Sequence, residues 1–152
     1  MGTLIRISCS NCKYEKEYLM GAGQLFFENQ DRVKKLINKL SGVSVKEICI
    51  ESNYNQVFRC FKCNRLYNKV SIIYKVEGTI FFYRIFYECT KCRSPLYPLF
   101  SNCVYNQNYI EHNKMGFNIN YELDYYRNVM EDIPCYECGM RKLYISGNGV
   151  WD

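Results

Sequence analysis

Residues 60–92 read C-F-K-C-N-R-L-Y-N-K-V-S-I-I-Y-K-V-E-G-T-I-F-F-Y-R-I-F-Y-E-C-T-K-C, a stretch bracketed by Cys60-Phe61-Lys62-Cys63 and Cys89-Thr90-Lys91-Cys92. Between the pairs stand two β-branched and aromatic runs, Leu66 to Val76 and Thr79 to Glu88, parted by Glu77-Gly78. A glycine at the second turn position supplies the positive φ of a tight turn, so the pattern predicts a hairpin. Its register places Leu66 opposite Cys89 and brings both cysteine pairs to the open end. Two residues between cysteines form a knuckle that aims both sulfurs at one point, and two knuckles complete a tetrahedron at about 2.3 Å per Zn–S bond. The second run is apolar on both faces, which predicts a central strand or one covered by a helix.

Two further pairs flank this stretch, Cys9-Ser10-Asn11-Cys12 and Cys135-Tyr136-Glu137-Cys138, so the knuckles use eight of the ten cysteines. One such pair is weak support for a metal site; four point to two zinc ions, each held by four thiolates, with iron in a rubredoxin-like site as the minor alternative. The hairpin favours nested pairing, inner knuckles together and outer knuckles together. Sequential pairing, first with second and third with fourth, stays open. A redox pair fits poorly, because no knuckle sits between a strand and a helix of a βαβ unit. The residue after each second cysteine needs a permissive backbone, which Gly139 supplies fully, Asn64 adequately, and Lys13 and Arg93 less well. Cys49 alternates with apolar neighbours and is expected in the core. Cys103 and His112, the single histidine, would make a mixed site with Cys89 and Cys92 only by stranding another knuckle.

Residues 3–8 alternate as a strand entering the first knuckle, residues 14–20 return as its partner, and Gly21-Ala22-Gly23 ends the pair. Asn29 caps an expected helix with Asp31 in its first turn, Val33, Leu36, Ile37 and Leu40 on one stripe, and Gly42 as the stop. Arg32, Lys34, Lys35 and Lys39 fall on its solvated face. Val45–Ile50 and Tyr54–Arg59 read as separate strands. Residues 101–120 read as an Asn-rich loop and Tyr121–Glu131 as a short second helix with Leu123, Tyr126, Val129 and Met130 on one face. Arg141–Ser146 reads as a closing strand. Residues 1–152 are expected to form one compact unit, divisible into an inner zinc ribbon over 54–100 and an outer zinc site over 1–50 with 121–152.

The hydrophobic fraction of 48% suits a globular chain, and no run approaches the length of a membrane span. With no signal-peptide pattern at the start, a cytoplasmic location is expected and thiols are better read as ligands than as disulfides. The formal charge of +5 counts cysteines as neutral. Eight thiolates on two divalent ions bring it to about +1, so net charge argues little for a nucleic-acid partner. Asn, Ile, Lys, Tyr and Phe are together abundant, as in AT-rich coding sequences, so fifteen tyrosines alone do not make a stacking platform. Lys13, Lys62, Arg65, Lys91, Arg93, Arg141 and Lys142 lie near the knuckles, where they either offset the thiolate charge or contact a partner or phosphates. Catalysis at zinc needs an open ligand position, commonly with histidine or carboxylate. Four-thiolate sites are closed, and Glu111, Asp124, Glu131 and Asp132 are scattered, so no enzyme is expected.

The separation C-x2-C-x25-C-x2-C and the approach T-I-F-F-Y-R-I-F-Y-E-C-T-K-C resemble the zinc ribbons of transcription elongation factors and small RNA polymerase subunits. Val76-Glu77-Gly78-Thr79 holds one acid where cleavage-stimulating factors carry an acidic pair, so transcript cleavage is not implied. Over the whole chain, M-G-x-x-I-x-x-S-C-x-x-C-x-Y, the Gly21-Ala22-Gly23 turn with Leu25-Phe26-Phe27, and the closing C-x-x-C-G with Trp151-Asp152 resemble small uncharacterised bacterial zinc-ribbon proteins. The stretch from Cys103 to Asn120 departs from that pattern. The resemblance implies a zinc-ribbon fold and no assigned activity. The expected fold is α+β, mainly β, with zinc-ribbon or rubredoxin-like hairpins, two four-cysteine zinc sites and one or two short helices. A protein-interaction or adaptor module is the first functional expectation, a transcription-related nucleic-acid binder the second, a thiol enzyme a distant third, and no membrane partner is expected.

Overall fold

The computed structural model describes residues 2–21, 30–100, 127 and 129–151. Strand β1 (Gly2–Cys9) is central in a three-stranded antiparallel sheet, with β2 (Glu15–Met20) on one edge and β7 (Leu143–Trp151) on the other. The period of two places Ile5 and Ile7 inward and leaves Arg6 between them exposed. The closing strand runs beyond the expected Ser146 to Trp151, where it pairs with Gly2.

A second antiparallel sheet has the order β5-β4-β3-β6, formed by β3 (Ile48–Cys60), β4 (Leu66–Val76), β5 (Phe82–Arg84) and β6 (Leu96–Pro98). The two strands expected over Val45–Ile50 and Tyr54–Arg59 are one. Val45–Glu47 is instead a 3-10 turn, and the ladder to β4 absorbs an irregularity between Ile50 and Ser52 without breaking. Cys49 is exposed, not core: Ile48 is buried, so its neighbour must face the other way.

The expected turn is present, with Gly78 at φ 79° and the Thr79 amide donating to the Val76 carbonyl at 3.0 Å. The run after it is not a central strand. Only Phe82–Arg84 form a strand with β4, at the sheet edge and exposed, in the register Lys75↔Phe82. Strict hairpin register would have set Lys75 against Ile80, and Leu66 against Cys89. The reason is topological. β5 lies beside β4 while β6 lies beside β3, so the chain after Ile85, whose amide makes the last backbone bond to β4, leaves the ladder over residues 86–95 to reach the β3 side. The Tyr87 hydroxyl, donating to the Val70 carbonyl at 2.8 Å, anchors that crossing.

Helix α1 (Gln30–Ser41) lays Val33 and Ile37 on Ile48, Ile72, Tyr74 and Ile85, forming a core on one face of the second sheet. Leu36 is partly buried, whereas Leu40, grouped by periodicity with the same stripe, is 47% exposed because this core ends before the last turn. Gly42, at φ 75°, stops the helix as expected. The larger core unites Ile5, Ile7, Tyr14, Tyr18 and Met20 with Val57 and Leu66 of the second sheet and Met130, Ile133 and Leu143. Asn68 also joins the sheets, accepting from the Leu19 amide at 2.8 Å and donating to its carbonyl at 2.9 Å. Residues 127 and 129–131 are helical, with Met130 buried. Asn29, the Ala22-Gly23 turn, residues 101–120 with Cys103 and His112, and Leu123 and Tyr126 lie outside the described residues. Among the described residues no helix is long and apolar enough to cross a membrane.

Candidate metal centres

Three of the four knuckles share one backbone pattern. In each, the first cysteine's carbonyl accepts from the amide four residues on, at 2.8 Å for Asn64, 2.9 Å for Arg93 and 2.7 Å for Gly139. Its own amide donates to the carbonyl five residues on, those of Arg65, Ser94 and Met140. Closing that ring requires a left-handed residue, and Asn64 (φ 57°), Arg93 (φ 60°) and Gly139 (φ 75°) supply it. Arg93, expected to fit poorly, adopts the conformation nonetheless. In the first knuckle Cys9 donates to Tyr14 at 3.0 Å, and Lys13 keeps negative φ.

The knuckles meet in nested fashion. Cys9, Cys12, Cys135 and Cys138 form one cluster and Cys60, Cys63, Cys89 and Cys92 the other, with all sulfurs of each cluster within 4.8 Å of one another. Cys9–Cys138 and Cys12–Cys135 are 3.7 and 3.8 Å apart. Cys60–Cys92 and Cys63–Cys89 are 3.4 and 3.5 Å apart. A tetrahedron with Zn–S bonds of about 2.3 Å has edges of about 3.8 Å, so both sets fit a four-coordinate ion. In every knuckle the first cysteine is buried and the second half-buried. Each cluster consists of sulfur ligands alone.

Four thiols aimed at one point compete for negative charge. Burial pushes Cys63 up to about 12, reinforced by bonds from Cys60, Cys89 and Cys92. The Tyr14 amide favours the Cys12 thiolate, but burial and the three facing thiols outweigh it and push this group also up to about 12. Burial resists ionisation of Cys89, yet the Tyr67 hydroxyl and the amides of Cys92 and Lys91 pull it down to about 6. The Met140 amide is the main cause holding Cys138 at about 7. Each cluster thus favours some thiolates and holds back others, a conflict that a divalent ion held by the four sulfurs would remove by favouring all four thiolates.

The hydroxyl of Tyr67 lies 3.1 Å from the Cys89 sulfur and 3.3 Å from the Thr90 hydroxyl. In the other cluster the Asn11 amide donates to Cys9 at 3.5 Å. The sequence marked no tyrosine for this role, although its place one residue after Leu66, at the start of the strand leaving the knuckle, was the available signal.

The basic residues divide. Lys13, Lys62, Lys91, Arg93, Arg141 and Lys142 are exposed. Arg65 instead crosses between the clusters, its guanidinium 5.1 Å from the Tyr136 ring centre. Arg59, which the sequence reading missed, lies 4.8 Å from the Phe61 ring and donates to Asn64 Oδ1 at 2.7 Å. Burial lowers its pKa, and the positive charge of Arg141 adds to the shift. Arg59, Arg65 and Arg141 thereby gather where the two knuckle pairs face each other. Glu131 and Asp132 are exposed, and Glu111 and Asp124 lie outside the described residues. Comparison with protein-family models, curated proteins and solved structures gave no match, so what the chain does must be argued from this geometry.

Proposed function

We propose that the chain is a structural zinc protein, with zinc in both clusters, that serves as a protein-docking module. The observation carrying this is the convergence of eight sulfurs into two closed four-sulfur sets. Four thiolates suit zinc and leave no position for substrate, so the metal would fix the knuckles and take no part in a reaction. Apolar surface supplies the docking half of the reading: Ile80, Phe81, Phe82 and Phe86 are 84, 64, 62 and 82% exposed along one short stretch. Metal analysis on the purified, reduced chain tests the first half. Two zinc ions per chain and eight thiols released on chelation are expected; iron, or a folded protein without metal, overturns it.

A nucleic-acid reading draws on a different observation. Arg59, Arg65 and Arg141 gather between the knuckle pairs, with Arg59 over Phe61, whose ring is 5.4 Å from that of Tyr97; the two rings are 62 and 51% exposed. Cations interleaved with open rings suit a single strand. Such binding weakens steeply with salt. Absence of complex with single- and double-stranded probes at low salt removes this reading and leaves protein docking.

A further inference from the structure

β5 is the outer strand of the second sheet, and no other described strand pairs with its free edge. Natural edges are blunted by charge, bulges or proline. Here only shortness and Arg84 oppose pairing, while Ile80, Phe81, Phe82, Tyr83 and Phe86 stay 40–84% exposed. We infer that this edge is closed by a second copy of the same chain, β5 pairing antiparallel with β5 about a twofold axis through Tyr83. The inference rests on the docking-module reading and names its occupant.

Three observations support the second copy and this register. The Ile85 amide donates to the Ile72 carbonyl, so in an alternating antiparallel ladder the odd-numbered residues turn their backbone groups toward β4. Phe82 and Arg84 then present N–H and C=O to the open side. A twofold axis at Tyr83 sets Phe82 opposite Arg84 of the second copy, and Arg84 opposite its Phe82, closing both pairs with backbone hydrogen bonds.

Charge agrees with that register. An axis one residue further along would oppose two Arg84 side chains. The axis at Tyr83 instead places each Arg84 beside a Phe82 ring, a favourable cation–π pair. Lys75 already covers that ring from the β4 side, its Nζ 4.3 Å from the centre. The same register pairs Ile80 with Phe86 on that face. On the helix side it sets Tyr83 against its own copy, beside the Tyr74–Tyr83 stack at 5.6 Å.

Area agrees as well. Phe and Tyr side chains each bury about 150–250 Å². Complete cover of the exposed parts of these five would remove at most roughly 650 Å² per chain, or about 1,300 Å² for the pair, which reaches the low end of stable interfaces.

Sedimentation of the full chain, brought first to two zinc ions per chain, tests the proposal over a concentration series reaching the low hundreds of micromolar. A concentration-dependent dimer is expected. Ile80→Glu with Phe86→Glu, at positions exposed enough to leave the monomer folded, should weaken it by at least about tenfold. Oxidised Tyr83→Cys should give a cross-link between the two copies of position 83, identified by peptide mass so that Cys49 is not mistaken for it. A monomer at the highest concentration, a dimer indifferent to the double variant, or a cross-link confined to Cys49 overturns the inference. A zinc-loaded monomer leaves the metal assignment standing, whereas a dimer with the expected variant behaviour but unable to retain zinc removes that assignment and keeps the pairing.

Discussion

The two cysteine clusters have the same ligands and perform different structural work. In the outer cluster, facing sulfurs come from residues 123 and 129 positions apart; in the inner, 26 and 32. With an ion in each cluster, loop-closure entropy would make the outer cross-link worth about 1.3 kcal/mol more. The outer cluster rests on the larger core, with Ile5, Ile7, Tyr18, Met130 and Leu143 beneath it. The inner rests on a core whose buried members are Phe58, Cys60, Cys89 and Leu96, so half of them belong to the cluster itself. An ion in the outer cluster would close a long chain onto an apolar layer that already exists. One in the inner cluster would stand in for a layer that does not.

The largest effect that probes this contrast is removal of both ions. Structural zinc contributes about 10–16 kcal/mol in zinc-finger peptides, comparable to the whole stability of a domain. Stoichiometric chelation is expected to abolish the strand signal in far-ultraviolet circular dichroism and the cooperative melt. A spectrum unchanged after stripping would show that the apolar cores suffice.

Breaking one cluster at a time sharpens the comparison. Cys89→Ser should release one zinc and expose amides near Arg59–Leu66 and Glu88–Leu96 to hydrogen exchange, while β1, β2 and β7 keep their protection. Cys135→Ser should also release one zinc, but lower protection across both sheets, with a stability loss larger by about 1–2 kcal/mol. Identical exchange maps for the two variants would erase the distinction.

A smaller effect separates the shells around the sulfurs. The Tyr67 hydroxyl lies 3.1 Å from the Cys89 sulfur, whereas the closest polar contact to Cys9 is a backbone amide at 3.5 Å. Tyr67→Phe should weaken zinc at the inner site by about 10–100-fold and leave the outer site unchanged, as read by competition with a chromophoric chelator. Equal weakening at both sites would make Tyr67 a general packing residue.

Much of this architecture was legible because local chemistry and global fold agree. Knuckle spacing, the alternation of β1, the stripe Val33–Ile37 and the turn at Gly78 each report a local requirement, and each appears where the residues put it. The failures share a cause. Thr79–Glu88 is apolar on both faces, which ordinarily means a central strand, but the pattern carries no information about where the next knuckle must go. Crossing from the β4 side to the β3 side removes residues 86–95 from the ladder and leaves Phe82 and Phe86 exposed at an edge. Cys49 failed for a related reason, since alternation gives a period and not which face is inside. Arg59 and Tyr67 were missed because their roles depend on what the fold sets beside them.

The smallest effect lies in the knuckle backbone, where corresponding positions of the inner and outer clusters carry Arg93 and Gly139 at φ 60° and 75°. A side chain in that region costs about 1–2 kcal/mol, and a glycine costs about 0.4–1 kcal/mol through the unfolded chain. A Cβ added at Gly139 would meet nothing within 4 Å, so Gly139→Ala isolates the backbone penalty. Arg93→Gly removes the same penalty from the third knuckle. Each net change is about 0.5–1 kcal/mol, which for a chain of this size moves the melting midpoint by about 1–4 °C. Zinc-loaded Arg93→Gly should therefore melt above the parent and Gly139→Ala below it. Asn64→Gly should show no such gain, because it gives up the hydrogen bond that Arg59 makes to Asn64. If Arg93→Gly instead melts below the parent, the arginine side chain stabilises the inner cluster by more than its backbone strain costs. The two clusters would then differ in how charge supports them as well as in loop length and core.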